Sequence, residues 1–169
     1  MRRLVALVAL PIALALTGCG LHPLYSGGSA GPVASALTRI EVAPIEGKSG
    51  WLMANALRDR LAADGASPLF RLEVKLDDRI IGLGVRRDDS VSRERRTLRA
   101  RFQLIDLAKG TVLLDATAGS DAGIDVVNSE YATIAAENTA LERLSDIVAD
   151  QIVSRVALYA QRTGAAPAP

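Results

Sequence analysis

From Phe70 the chain alternates, with Phe70, Leu72, Val74 and Leu76 set between Arg71, Glu73, Lys75 and Asp77, which predicts a strand over residues 70–79 buried on one face only. The same period returns at Leu98, Ala100, Phe102 and Leu104 and predicts a second strand over 93–107. Ala108-Lys109-Gly110 then turns the chain into a third strand from Thr111 to about Gly119, so these two form a hairpin. Between the first pair, Ile80 to Ser92 carries glycines and dense charge, and the pattern leaves open whether it extends the strands or forms a loop. Ahead of them, Leu37 to Ile45 has Ile40 and Val42 and stops at Pro44, which predicts a further strand. The period elsewhere is helical. Met53, Leu57 and Leu61 share one face of a helix starting near Trp51 and closed by Gly65. From Tyr131 to Gln161, Ile134, Leu141, Leu144, Val148, Ile152, Val156 and Tyr159 line one face of a long helix, with Ser129 or Asn128 as its N-cap.

This order predicts an α+β fold, a two-layer sandwich in which both helices cover one face of a mixed four-stranded sheet. The first strand reaches the others through a helix, which permits parallel pairing by a right-handed crossover. The second face is left open. A two-residue period places Arg93, Arg95, Thr97, Arg99, Arg101 and Gln103 on it, with Arg86, Arg87 and Arg96 close by in sequence. Two readings stand: the arginines are neutralised across the ladder by Glu73, Asp77 and Asp88, or Arg86, Arg87, Arg93, Arg95 and Arg96 form an anion site, guanidinium forks being suited to phosphate and carboxylate.

The amino terminus changes the picture. Arg2 and Arg3 precede the uncharged run Leu4 to Leu16, the form of a secretory leader and too short for a spanning helix. Leu16-Thr17-Gly18-Cys19 resembles the lipobox of bacterial lipoproteins, whose cysteine is acylated and becomes the first mature residue. The expected organisation is a signal peptide over 1–18, a lipidated flexible tether over 19–36 rich in Gly, Ser and Pro, one domain over 37–163 and a tail over 164–169. Two or more acyl chains make a stable anchor. Gly20 follows the cysteine in place of the aspartate that retains enteric lipoproteins at the inner membrane, and by resemblance this favours the outer membrane.

Charge and chemistry narrow the function further. The chain has 20 Lys plus Arg against 19 Asp plus Glu, so nothing global points to nucleic acid. Its one cysteine, once acylated, leaves no disulfide within the chain, and the fold depends on packing. His22 has no second histidine to join it, which excludes a Ser-His-Asp triad within a domain and a histidine metal site. Gly82-Leu83-Gly84 lacks the rest of a dinucleotide fingerprint. No residue nominates itself as a catalyst, and no cofactor or metal is expected.

The run Cys19-Gly20-Leu21-His22-Pro23-Leu24-Tyr25, the segment Ser129-Glu130-Tyr131-Ala132 opening the last helix, and the order of elements between them resemble the lipopolysaccharide-assembly lipoprotein family LptE, especially its alphaproteobacterial branch. The resemblance implies a lipid-anchored plug inside the outer-membrane β-barrel LptD that assists the barrel's assembly and binds lipopolysaccharide during its delivery to the outer leaflet. An auxiliary lipoprotein of an inner-membrane lipid ABC transporter would share the anchor and the small domain. A hydrolase acting on cell-wall or lipid substrates would need a catalytic cluster that the sequence does not offer.

Overall fold

A computed structural model describes residues 31–61, 65, 67–85, 91–127 and 129–163, so the expected signal peptide and the C-terminal tail lie outside the described residues. Its elements are helix α1 (Pro32–Leu37), strand β1 (Ile40–Val42), helix α2 (Gly47–Leu61), strands β2 (Phe70–Val85), β3 (Val91–Asp106) and β4 (Thr111–Asp125), and helix α3 (Glu130–Thr163). The sheet has the order β1-β2-β3-β4, with β1 parallel to β2 and the other pairs antiparallel. The two long helices cover one face of this mixed sheet, as the alternating pattern requires.

Even-numbered residues of β2 and β3 face the helices. Leu72, Leu98, Ala100, Phe102 and Leu104 are buried against Met53 and Leu57 of α2 and Leu141, Leu144, Val148, Ile152 and Val156 of α3. At about 25 cal/mol per Å² of apolar surface, this seam is the main source of stability in a chain with so few aromatics. The helices run side by side in one direction. Lys48 donates to Asn138 at 2.6 Å near their starts, and Arg60 donates to Asp150 at 2.5 Å further along. Ser129 caps α3, its hydroxyl accepting from the Ala132 N–H at 3.4 Å.

Several boundaries differ from expectation, each for a local reason. The tether expected through residue 36 gives way at Pro32, where α1 begins, because Val33, Ala36 and Leu37 find apolar cover in the core. Pro at the first helical position costs no hydrogen bond. The strand expected over 37–45 shrinks to Ile40–Val42, since Thr38 and Arg39 close α1 through N–H bonds to the Ala34 and Ala36 carbonyls and Pro44 has no N–H to give a ladder. Helix α2 starts at Gly47 instead of Trp51. The stretch left open, 80–92, is strand on both sides: β2 runs on to Val85 and β3 resumes at Val91, while β4 extends to Asp125 to pair with Arg93. The three strands thus project past the hydrophobic core as a long arm.

Gly50 shows how tightly the β1–α2 connection is drawn. A Cβ there would stand 2.6 Å from the Ile45 carbonyl oxygen and 2.7 Å from its carbon, both backbone atoms that cannot swing aside. Gly50→Ala is therefore expected to destabilise the fold by about 1–3 kcal/mol, read as a lowered urea midpoint. An unchanged midpoint would mean that the Pro44–Glu46 turn is free to move.

Candidate functional site

The face of the sheet away from the helices carries the chemistry. Along β3 it presents Arg93, Arg95, Thr97, Arg99, Arg101 and Gln103, as the alternation predicts, and the register decides what each meets. Arg93 stands opposite Asp125 and donates to it at 3.1 Å. Arg101 and Gln103 both donate to Asp115, at 2.8 Å from the Arg101 Nη2 and 2.8 Å from the Gln103 amide. These two bonds, Arg101's first, hold the Asp115 carboxyl at about 2, well below its ordinary 3.8. Neutralisation across the ladder is thus real, but its partners are Asp115 and Asp125 of β4. Of the expected acids, Asp77 pairs with Arg79 of its own strand at 2.8 Å, and Asp88 lies outside the described residues.

Arg95 and Arg99 are different. Across β4 they face Gly123 and Gly119, residues with no side chain to offer. Neither makes an ion pair or hydrogen bond with any described residue. The Arg99 side chain instead lies across Gly119, where a Cβ would come within 2.5 Å of its Cδ and 2.6 Å of its Nη1. Gly119 is therefore the residue that lets this guanidinium lie along the sheet. On the other side Asp77 of β2 stands directly opposite Arg99 but is held by Arg79, and Lys75, diagonal to Arg99, has no ionic partner among the described residues. Two hollows result. One of about 450 Å³ is lined by Lys75, Asp77, Arg99, Arg101 and Thr117, the other of about 280 Å³ by Leu83, Arg93, Arg95, Asp121, Gly123 and Asp125. Arg95 and Arg99 are four steps apart along the strand, about 13 Å at 3.3 Å per residue.

Arg96 departs from the sequence reading. Being even-numbered, it points to the helix side, where it makes two hydrogen bonds to Asp78, at 2.8 and 2.6 Å, and a third to the Glu137 carbonyl of α3 at 2.9 Å. Its side chain is 11% exposed and that of Asp78 19%. It is a clamp that fastens α3 to the projecting arm, and it is removed from the anion-site candidates. Arg86 and Arg87 lie outside the described residues, as does Cys19. The site reading also overlooked Lys75, Gly119 and Gly123. Lys75 was visible in the alternation, but the glycines gain meaning only from the β3–β4 register.

Set on this fold, the open face defines a class: a small α+β domain of the kind several bacterial lipoproteins share. A protein described as a lipoprotein from Caulobacter crescentus matches with a TM-score of 0.66 at 24% identity, over 76% of this chain and 97% of that one. A minor lipoprotein from Acinetobacter baumannii matches at 0.55 and 16% identity, over 70% and 88%. The rare lipoprotein B of Shewanella oneidensis matches at 0.55 and 11%, over 74% and 96%. No curated relative is matched. The model of the family LptE, described as lipopolysaccharide-assembly, matches residues 37–156, most of the folded domain. The chain belongs to the LptE lipopolysaccharide-assembly family of lipoproteins.

Two outcomes follow from this geometry. The Asp115 carboxyl is expected to titrate near 2 by carbon NMR, and Arg101→Ala to move its midpoint back up toward 3.8. Because the folded value is the lower one, the pair's contribution to stability is present above about pH 4 and disappears as the pH falls toward 2. Truncating the clamp by Arg96→Ala leaves the Asp78 charge half-enclosed and should lower stability by about 2–4 kcal/mol, with faster amide exchange in the first turns of α3. Exchange unchanged over 130–137 would contradict the clamp.

Proposed function

We propose that this protein is an outer-membrane lipoprotein of the lipopolysaccharide transport machinery, anchored through Cys19, that seats within the LptD β-barrel, helps assemble it and binds lipopolysaccharide on its open sheet face. The observation that carries the binding reading is the pair Arg95 and Arg99, two guanidinium groups set opposite glycines of β4 and without an ionic partner among the described residues, while their neighbours Arg93 and Arg101 are neutralised. Lipopolysaccharide bears phosphates on its lipid A and core. A bidentate guanidinium–phosphate contact is stronger than a neutral hydrogen bond, and two such groups about 13 Å apart suit a ligand carrying more than one phosphate. Lys75 adds a third cation beside Arg99, and Arg93 supplies a partly neutralised one at the tip. Arg86 and Arg87 remain candidates by sequence position alone.

The arrangement of ends supports the same reading. The described chain starts at α1, which packs beside Val156, Tyr159 and Ala160 near the end of α3, whereas the arginine-bearing arm points the other way. A 16-residue strand spans about 50 Å. An anchor at Cys19 joins the domain at its α1 end, opposite the end that carries Arg95. The family membership supports the lipopolysaccharide-assembly role, and the lipobox resemblance supports the anchor.

The test is binding of the purified protein to lipopolysaccharide. The double variant Arg95→Glu/Arg99→Glu should bind at least about tenfold more weakly at low salt, and the difference should narrow as salt screens it. Arg101→Glu, whose parent is already held by Asp115, should matter less. Equal affinity of the double variant and the parent would overturn the site.

A further inference from the structure

Between Arg95 and Arg99 the open face is not purely cationic. The β3 residue midway is Thr97, and the register sets Asp121 of β4 directly opposite it. Both are in step with the arginines, so both belong to the open face. Asp121 is diagonal to Arg95, which pairs with Gly123, and diagonal to Arg99, which pairs with Gly119. Diagonal neighbours stand about 7–8 Å apart, within reach of an arginine side chain. Even so, Asp121 makes no ion pair or hydrogen bond with any described residue.

Its neighbours are occupied. Asp125 accepts from Arg93, Asp115 from Arg101 and Gln103, and Asp77 from Arg79. The Thr97 hydroxyl also has no partner among the described residues, and Arg79, which stands opposite Thr97 on β2, is held by Asp77. A free acid suits neither phosphate alone nor a metal ion. It repels an anion that bridges the two guanidinium groups. One carboxylate is too few for a cation cage, and among the described residues no three such ligands gather. What it does suit is a neutral donor, since a carboxylate accepts hydrogen bonds on two oxygens and a threonine hydroxyl either gives or accepts one.

We propose that Asp121 and Thr97 are specificity-determining residues of this face, binding sugar hydroxyl groups that lie between two phosphates held by Arg95 and Arg99. This assignment, which rests on the lipopolysaccharide reading of the face, puts the phosphates at the ends of a row of about 13 Å and the sugar over its middle. Glycine leaves the room. A Cβ at Gly123 would meet nothing within 4 Å, so the surface beside Asp121 is open, and a hollow of about 280 Å³ is lined there by Arg95, Asp121 and Gly123 among others.

The experiment measures binding of the full lipidated chain in detergent to two probes. One is purified lipopolysaccharide; the other is a linear inorganic polyphosphate long enough to span both arginines, which carries the charge and no sugar. Charge alone predicts that Asp121→Ala tightens both, because a negative neighbour is removed. The proposal predicts opposite signs: lipopolysaccharide bound at least about fivefold more weakly, polyphosphate bound equally or more tightly. Thr97→Val keeps shape and charge, and should weaken lipopolysaccharide about two- to threefold with polyphosphate unchanged. Neither side chain has a partner within the described fold, so thermal midpoints should stay at the parent's value. Asp121→Ala binding lipopolysaccharide as tightly as the parent or more tightly would overturn the assignment, as would equal losses for both probes. Those results leave the arginine site standing if Arg95→Glu/Arg99→Glu still weakens lipopolysaccharide; if that double variant binds like the parent, the site and this assignment both fall.

Discussion

The strict alternation of β3 is the constraint on which the rest depends. Leu98, Ala100, Phe102 and Leu104 must leave water together, and because they occupy every second position the residues between them must stay in it. One face therefore takes the helices, and the arginines are confined to the other without any further instruction. A one-residue slip of the ladder would bury Arg99 and Arg101 and expose Phe102, so the register that builds the core is the same one that builds the cationic face.

That shared register also explains why Arg96 differs from its neighbours. It is adjacent to Arg95 in the chain but on the opposite side of the sheet, past the end of the apolar seam, where Asp78 and the α3 backbone receive it. The hydrophobic core covers only the inner part of the long strands. The clamp adds a polar attachment of α3 to the arm beside the apolar contacts of Ala122 and Ile124.

Most of the architecture was legible from period alone: the α+β class, the hairpin turn at Ala108-Lys109-Gly110, the long final helix and its Ser129 cap all follow from local rules. What escaped depended on partners distant in sequence. Residues 80–92 read as ambiguous because of their glycines and dense charge, and only the β2–β3 ladder shows 80–85 and 91–92 as strand. The helix at Pro32 was hidden in a Gly- and Pro-rich composition because its stability comes from tertiary burial of Val33 and Leu37. The candidate site was half legible. Alternation sorted Arg93, Arg95, Arg99 and Arg101 onto one face, but which were neutralised depended on acids and glycines of β4 that no local pattern connects to them.

The central claim is that the open face, through Arg95 and Arg99, is where lipopolysaccharide binds. The most direct measurement follows the arginine side-chain Nε–H resonances by NMR as lipopolysaccharide is added. The account predicts that Arg95 and Arg99 shift together and saturably while Arg96, locked to Asp78, stays in place. Shifts confined to the helical layer, with Arg95 and Arg99 unmoved, would contradict it.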